Sequence, residues 1–153
     1  MRAPLRDVPG AAVLAGCAPA ELAGMDLAPK RALALIKVAR EVAAGRCDLA
    51  CDADDPRLRS ISEIGPWTLQ CLRLNGRGDL DSLPAGDLAY LKLVGRLAAL
   101  GRRATIVEVE DFYAPYEPYR GIAGLLTLAG HSRSITAGPP LRYHPPVPEY
   151  EAA

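Results

Sequence analysis

The clearest hydrophobic pattern in this chain lies over residues 28–44. Apolar side chains recur there three and four positions apart, and lysine, arginine and glutamate occupy the opposite face. Such spacing is typical of an α-helix with one buried face. Pro29 suits the first turn of this helix, and Gly45 suits the position just beyond its end. We therefore predict a helix over 28–44.

Two shorter helical patterns follow, separated by a glycine. Pro56 opens the first, and either Asp54 or Asp55 can accept hydrogen bonds from the exposed amides at its start. Gly65 lets the chain turn before Pro66 opens the second pattern. This segment predicts a helix, a hairpin turn and a second helix.

The second half of the chain predicts three more helices, over 88–100, 105–114 and 118–129. Asp87 stands at the N-cap of the first, and Thr105 with Glu108 has the pattern of a capping box. A helical turn over 19–22 precedes all of these elements. With one Trp, six Tyr and one Phe, the core must consist mainly of Leu, Ala, Val and Ile, and Ala and Leu favour helix. The fold class is predicted to be all-α.

The charged residues exclude a global attraction to nucleic acid. The chain has 18 basic and 18 acidic side chains and a formal net charge of zero, so any nucleic-acid site must be a local patch. One candidate patch consists of Lys92, Arg96, Arg102 and Arg103. Cations on a helix are more often simply its solvated face, and that interpretation has the greater weight.

The cysteines predict neither disulfides nor a metal site. Cys17, Cys47, Cys51 and Cys71 contain no CxxC pair and no secreted framework, so free thiols are expected. Cys47 and Cys51 share a helical spacing, but a second pair of ligands is missing. We expect no metal and no cofactor. Without a signal peptide or a bilayer-length apolar run, the sequence predicts a cytoplasmic protein with no membrane contact.

Residues 58–68 contain the first chemical motif, Leu-Arg-Ser-Ile-Ser-Glu-Ile-Gly-Pro-Trp-Thr. The motif resembles the hairpin of the helix-hairpin-helix DNA glycosylases, Leu-x-x-Ile-x-Gly-Ile-Gly-x-x-Thr. It is most similar to the 3-methyladenine DNA glycosylase II branch, in which proline, tryptophan and threonine follow the second glycine. The resemblance implies that the hairpin amides hold a DNA phosphate, through Ile64, Gly65, Pro66 and Thr68.

Two features of the hairpin weaken that implication. Glu63 stands where the family has its first hairpin glycine, and its bulk and negative charge are expected to hinder the approach of DNA. In isolation, Gly65 and Pro66 are equally well explained as an ordinary turn and helix start.

Residues 83–87, Leu-Pro-Ala-Gly-Asp, form the second motif. By itself, an aspartate before an amphipathic helix is an ordinary N-cap that contributes about 1 kcal/mol. The segment nevertheless resembles the one that carries the catalytic aspartate of the glycosylase family, at the family's usual distance after the hairpin tryptophan. The resemblance implies that Asp87 is the catalytic carboxylate of a monofunctional glycosylase that releases alkylated purines, such as 3-methyladenine, from damaged double-stranded DNA.

The resemblance also implies a pocket for the extruded base. Trp67 matches the family's tryptophan, whose aromatic face attracts a cationic purine, although a core anchor is the more frequent role for the only Trp of a small helical domain. Trp67 occupies the place of the Schiff-base lysine of the endonuclease III branch, which excludes lyase chemistry through that residue. The other expected pocket residues are Cys71, Leu88 and Leu128.

A third segment, 115–123, resembles the proline-aromatic-arginine segment that starts the family's last catalytic-domain helix. Tyr119 and Arg120 are accordingly expected under the helix that follows Asp87, or, more simply, at a helix start with a buried aromatic.

The resemblance runs from about Pro19 to Gly130, and the family's preceding helices have no counterpart. We therefore expect a monomeric glycosylase-like domain over 1–130, incomplete at its N-terminus. A Pro-rich extended tail is predicted over 131–153. The alternative is a non-catalytic DNA-binding or structural remnant of the same fold.

Overall fold

The computed structural model describes residues 8–134, and every regular element in that range is helical. The all-α prediction is thereby confirmed. The predicted Pro-rich tail falls almost wholly outside the described residues, which end at Ser134. The helices are Ala11–Gly16 (α1), Pro19–Ala23 (α2), Pro29–Ala43 (α3), Asp55–Arg59 (α4), Pro66–Leu72 (α5), Leu88–Leu97 (α6), Ile106–Tyr113 (α7) and Arg120–Ser134 (α8).

The chain divides into two compact units, Met1–Leu69 and Gln70–Ala153. In the first unit, α1 and α2 pack against α3. The small core of this unit contains Leu22, Ala32 and Ile36, all less than 7% exposed. Helix α3 matches the helix predicted over 28–44, and Gly45 follows it in the left-handed conformation at φ +66°.

One glutamate joins the end of α3 to α4 within the first unit. Glu41 accepts hydrogen bonds from Arg46 at 2.7 and 3.1 Å and from Arg57 at 2.6 Å. These charged donors, Arg46 first, lower the pKa of Glu41 to about 2. Of the two aspartates predicted to cap α4, Asp54 is excluded as the side-chain cap. Asp54 makes no side-chain bond to the helix, because its carboxylate accepts the amide of Asp48 at 2.7 Å.

The core of the second unit lies between α6, α7 and α8. Tyr90 and Tyr113 are its largest buried side chains, and their rings meet edge to face with centroids 5.9 Å apart. The buried residues of this core are Leu83, Ala85, Tyr90, Val94, Ala104, Val109 and Tyr113. The buried residues therefore come from α6, from α7 with the preceding Ala104, and from the loop before Asp87, and α8 packs against them.

Two glycines allow α8 to approach its neighbours closely. A Cβ at Gly121 would lie 2.8 Å from the carbonyl oxygen of Leu80 and would also overlap that of Ser82. A Cβ at Gly124 would lie 2.9 Å from the Tyr90 ring. The amide of Ile122 donates to the Leu80 carbonyl at 3.0 Å. The first turns of α8 thus lie directly against the backbone at 80–82.

The ends of the later helices differ partly from prediction. Helix α6 ends at Leu97 rather than near 100, because the amide of Leu100 bonds back to the Gly95 carbonyl at 2.9 Å while Ala99 adopts φ +52°. The predicted capping box of α7 is confirmed, since Thr105 Oγ1 accepts the Glu108 amide at 3.2 Å and Glu108 Oε2 accepts the Thr105 amide at 2.7 Å. Helix α8 continues to Ser134, past its predicted end at 129.

Among residues 8–134, no helix combines the length and the apolar character that crossing a bilayer requires.

Because α8 approaches its neighbours closely at Gly121 but not at Gly130, a glycine-to-alanine substitution should change the free energy of unfolding in opposite directions at the two positions. Gly121→Ala should lower the free energy of unfolding by about 1–3 kcal/mol, because backbone atoms must move to admit the methyl group. Gly130→Ala, in the same helix with no atom within 4 Å of the added Cβ, should raise it by about 0.5–1 kcal/mol. Urea unfolding of both variants checks the prediction. Equal effects at the two positions would contradict it.

The two paired glutamates predict a loss of stability in acid. The pKa of Glu108, like that of Glu41, is lowered from 4.5 to about 2, with Arg102 as the main cause. A group whose pKa is depressed by folding stabilises the protein above its unfolded pKa. The free energy of unfolding should therefore fall as the pH drops from 4.5 towards 2. Measured across that range, a Glu41→Gln/Glu108→Gln variant should show a shallower pH dependence than the wild type.

Candidate functional site

Asp87 lies at the start of α6, as its N-cap. Its Oδ1 accepts a hydrogen bond from the Ala89 amide at 2.8 Å, and its own amide donates to the Pro84 carbonyl at 2.9 Å. The two bonds hold the residue from both sides. An anion at this end of a helix is stabilised by the exposed amides and by the helix dipole.

The loop that leads to Asp87 is anchored to α8. Asp81 forms an ion pair with Arg120 and accepts bonds from the Arg120 side-chain Nε at 2.8 Å and backbone amide at 3.0 Å. The hydrogen bonds from Arg120 lower the pKa of Asp81. Between Asp81 and Asp87 the chain is buried at Leu83 and Ala85, which are 7% and 0% exposed. Asp87 therefore follows a segment fixed at one end by an ion pair and in its middle by the core.

Two titratable residues lie within electrostatic range of Asp87 in the second unit. Burial raises the pKa of Cys71, and the negative charge of Asp87 raises it further. Burial also raises the pKa of Tyr90, with smaller contributions from Tyr113 and Asp87. The sequence predicted Cys71 near Asp87 but did not predict Tyr90 there.

The other expected pocket residues have different surroundings. Leu88 follows Asp87 directly and is 47% exposed, whereas Leu128 packs against the buried core of the second unit. Trp67 belongs to the first unit, at the second position of α5, and is 46% exposed. A fully buried core anchor does not describe Trp67.

The hairpin places its one left-handed residue at Glu63. Ile64 donates its amide to the Ile61 carbonyl at 3.1 Å, and Leu69 donates to the Gly65 carbonyl at 3.2 Å as α5 begins. Glu63 has φ +74°, a conformation that glycine adopts freely and other residues adopt only at a cost. The position at which the glycosylase motif has its first glycine is thus the position at which this turn requires a left-handed residue.

The Glu63 side chain gives little in return for that backbone conformation. Its carboxylate lies 3.9 Å from the ammonium of Lys30, and the two side chains are 41% and 82% exposed. Exposed pairs at such distances contribute between zero and about 1 kcal/mol. The carboxylate therefore adds negative charge at the hairpin without a strong interaction to hold it.

The segment around Arg120 differs from expectation. Arg120 is the first residue of α8, and its guanidinium contacts the loop before Asp87 through Asp81. Tyr119 is 56% exposed, so neither predicted interpretation, packing under the helix or a buried aromatic at a helix start, describes its position. The Tyr119 ring therefore lies largely in solvent, just before the start of α8.

Two cavities lie on the second unit, and neither is lined by Asp87. One, of about 340 Å³, is polar and includes Asp81, Ser82 and Arg120 in its walls. The other, of about 580 Å³, is lined by cationic residues near the end of α6. Within residues 8–134, no group of three or more His, Cys, Asp and Glu side chains is arranged for a metal ion. Cys47 is buried and Cys51 is exposed, and both are free thiols.

Besides Tyr90, the sequence did not predict three residues of this site. Asp81 pairs with a residue 39 positions away, a relation that no local pattern contains. Gly121 and Gly124 did carry a signal, because glycines inside a helical pattern commonly mark a close approach of backbone.

The conformation of Glu63 leads to a stability prediction. Glu63→Gly should raise the free energy of unfolding by about 1 kcal/mol, because glycine adopts the left-handed conformation without steric cost. Glu63→Ala is the matched control, since it removes the same charge and keeps the strained Cβ. It should leave stability unchanged or slightly lower. Thermal and urea unfolding of both variants would test this, and equal stabilisation by glycine and alanine would assign the effect to charge instead.

Comparison with known proteins gives a partial similarity to a DNA repair enzyme. The chain is 28% identical over 74 residues to a Mycobacterium tuberculosis protein named "Probable bifunctional transcriptional activator/DNA repair enzyme AlkA", in strains CDC 1551 / Oshkosh and ATCC 25618 / H37Rv. The match covers 47% of this chain and 15% of the relative's length. No family model and no solved structure matches. The chain is therefore an all-α protein distantly similar, over about half its length, to a DNA repair protein.

Proposed function

We propose that this chain is a DNA glycosylase that hydrolyses the N-glycosidic bond of alkylated purines in double-stranded DNA. The observation that supports this most is the position of Asp87, a carboxylate fixed at the N-terminus of α6 after a buried, ion-paired loop. The partial similarity to a DNA repair enzyme supports the same reaction class.

Asp87 would act on the sugar rather than on the base. As the glycosidic bond breaks, positive charge develops on the deoxyribose ring, and a carboxylate nearby stabilises it. The same group can orient or deprotonate the attacking water. The Ala89 amide holds the carboxylate, and the bond from the Asp87 amide to the Pro84 carbonyl holds the backbone, before substrate arrives, so little reorganisation is needed during the reaction.

The residues proposed to hold the base are supported by different observations. Cys71 and Leu88 belong to the same unit as Asp87, and Cys71 lies within range of its charge. Leu128 would contribute from the core side of that unit. The role of Trp67 as an aromatic face for a cationic purine rests on the sequence resemblance alone.

The hairpin would contact the DNA backbone through the amides around Ile64, Gly65, Pro66 and Thr68. Such contacts position a duplex without reading its sequence. Glu63 opposes them, because its carboxylate repels phosphate. DNA binding through this hairpin should therefore strengthen when Glu63 is replaced by glycine.

The second candidate function is a non-catalytic DNA-binding or structural role, and Glu63 is the observation that favours it. Binding to duplexes with and without an abasic-site analogue separates the two candidates. A glycosylase should prefer the duplex with the analogue, because its active site binds a deoxyribose whose base has been removed. A remnant should bind both duplexes equally or bind neither.

Replacement of the proposed catalytic carboxylate gives the direct test. Asp87→Asn should lower the rate of alkylpurine release from methylated DNA by about 10²-fold or more, since the charge that stabilises the transition state is lost. Asparagine caps helices as well as aspartate does, so the free energy of unfolding should change by no more than a few tenths of a kcal/mol.

Asp111→Asn, an exposed carboxylate on α7, is the matched control and should retain wild-type activity. Equal rates for the wild type and Asp87→Asn would remove Asp87 from the mechanism. A wild type that releases no alkylpurine at all would favour the non-catalytic candidate.

A further inference from the structure

The second unit carries a concave surface whose charged lining residues are all cationic. This basic cleft has a volume of about 580 Å³, and its charged residues are Lys92, Arg96, Arg102 and Arg103. Among the residues that the structure describes, no carboxylate lines this shallow cleft, and the rest of its wall is largely apolar. Because the whole chain has no net charge, the cleft is a local excess of positive charge rather than part of a uniformly basic surface.

The backbone builds this cleft through a close approach at Gly95. A Cβ at that position would lie 2.9 Å from the Ala104 amide nitrogen and 3.1 Å from the Arg103 Cα. With glycine there, the segment after the α6 turn lies flat across the helix, and the Ala104 amide donates to the Leu91 carbonyl at 2.9 Å. The cations of the returning segment are thereby fixed beside those of α6.

Only part of the charge in the basic cleft is used within the protein. Arg102 pairs with Glu108 at 2.7 and 2.9 Å, and Arg96 forms a hydrogen bond with His131. Within residues 8–134, the side chains of Lys92 and Arg103 have no ion-pair or hydrogen-bond partner. The dipole of α6 explains a cation in its last turn, such as Arg96, but Lys92 lies in mid-helix and Arg103 beyond the turn.

We propose that the basic cleft binds the phosphodiester backbone of duplex DNA, with Lys92 and Arg103 as its principal phosphate contacts. The proposal rests on the proposed function, which supplies the duplex. Gly95 lies eight residues after Asp87 on α6, about 12 Å along the axis. With α6 running along the duplex, as the proposal requires, this separation corresponds to about three to four base pairs. The cleft would therefore contact DNA at the flank of the damaged nucleotide.

The chemistry of the cleft suits phosphate. Guanidinium groups bind phosphate through parallel hydrogen bonds, and lysine binds it as a point charge. Contacts of this kind release counterions and carry no sequence information, so their loss weakens binding to all duplexes alike.

The test is the salt dependence of duplex binding, measured by fluorescence anisotropy for the wild type, Lys92→Gln and Arg103→Gln. Each substitution should reduce the slope of log K against log salt concentration by about 0.9, the value for one phosphate contact. The loss should be the same for duplexes of different sequence. Arg31→Gln, an exposed cation on α3, is the matched control and should leave the slope unchanged. Unchanged slopes in the two cleft variants would overturn the proposal.

Duplex length provides the second measurement. With about ten base pairs on each side of an abasic-site analogue, the wild type should bind more tightly than either cleft variant. Trimming one flank to about two base pairs should abolish that difference while trimming the other should preserve it, and in both duplexes the longer flank keeps the strands paired. A difference that survives the trimming of each flank in turn would overturn the flanking position.

These experiments test the basic-cleft proposal and the glycosylase proposal separately. If alkylpurine release is observed and the cleft variants keep the wild-type slope, the proposed function stands and the cleft proposal fails. If the slopes fall and no base is released, the cleft binds DNA and the glycosylase proposal fails. If the wild type binds no duplex at all, both are overturned.

Discussion

The contact between the first turns of α8 and the backbone at 80–82 is the constraint on which the second unit depends. At Gly121 the backbone of α8 lies so close to the backbone at 80–82 that no side chain would fit between them. At the same point, Arg120 forms an ion pair with Asp81 and donates its backbone amide to the Asp81 carboxylate. From there the chain runs through the buried Leu83 and Ala85 into the N-cap of α6. Interiors packed at this density transmit small displacements. A methyl group at Gly121 would accordingly disturb the position of Asp87 as well as the stability of the fold.

Charge is arranged in this chain as a small number of local groups. Glu41, Asp81 and Glu108 each accept two or more hydrogen bonds from arginine or backbone donors, and these bonds lower the pKa of each carboxyl. Such pairs cancel within a few ångströms and leave little field at a distance. Within residues 8–134, the side chains of Lys92 and Arg103 in the basic cleft have no such partner, so their positive charge is not cancelled by a paired carboxylate. A neutral protein can still present a surface to which phosphate is attracted.

The sequence predicted the elements of this fold better than their contacts. Helical periodicity and helix-terminal residues located α3, α6 and α7, and the capping box of Thr105 and Glu108 formed as expected, because these signals are local. The ends of α6 and α8 were misplaced, since a left-handed Ala99 ends one helix and Gly130 remains helical within the other. Asp81 with Arg120, and the glycine contacts of α8, join residues far apart in sequence. Only a three-dimensional arrangement reveals such pairs. The candidate site was thus predicted at Asp87 itself, but not in the loop that holds it.

The hairpin at 58–68 has a left-handed residue, Glu63, at a position where a glycine would be less costly. Residue 63 is left-handed in this chain although it is glutamate, so the turn forms without the glycine that would make this conformation inexpensive. The cost of a left-handed glutamate is about 1–2 kcal/mol, and its exposed pair with Lys30 offsets at most a part of it. A backbone conformation retained at such a cost is imposed by the flanking helices and not by the residue itself. The geometry of the turn is therefore a property of how α4 and α5 are joined, whereas its affinity for phosphate depends on the side chain at 63. For this reason the hairpin supports the fold more strongly than it supports DNA binding, and the chemical interpretation depends chiefly on Asp87.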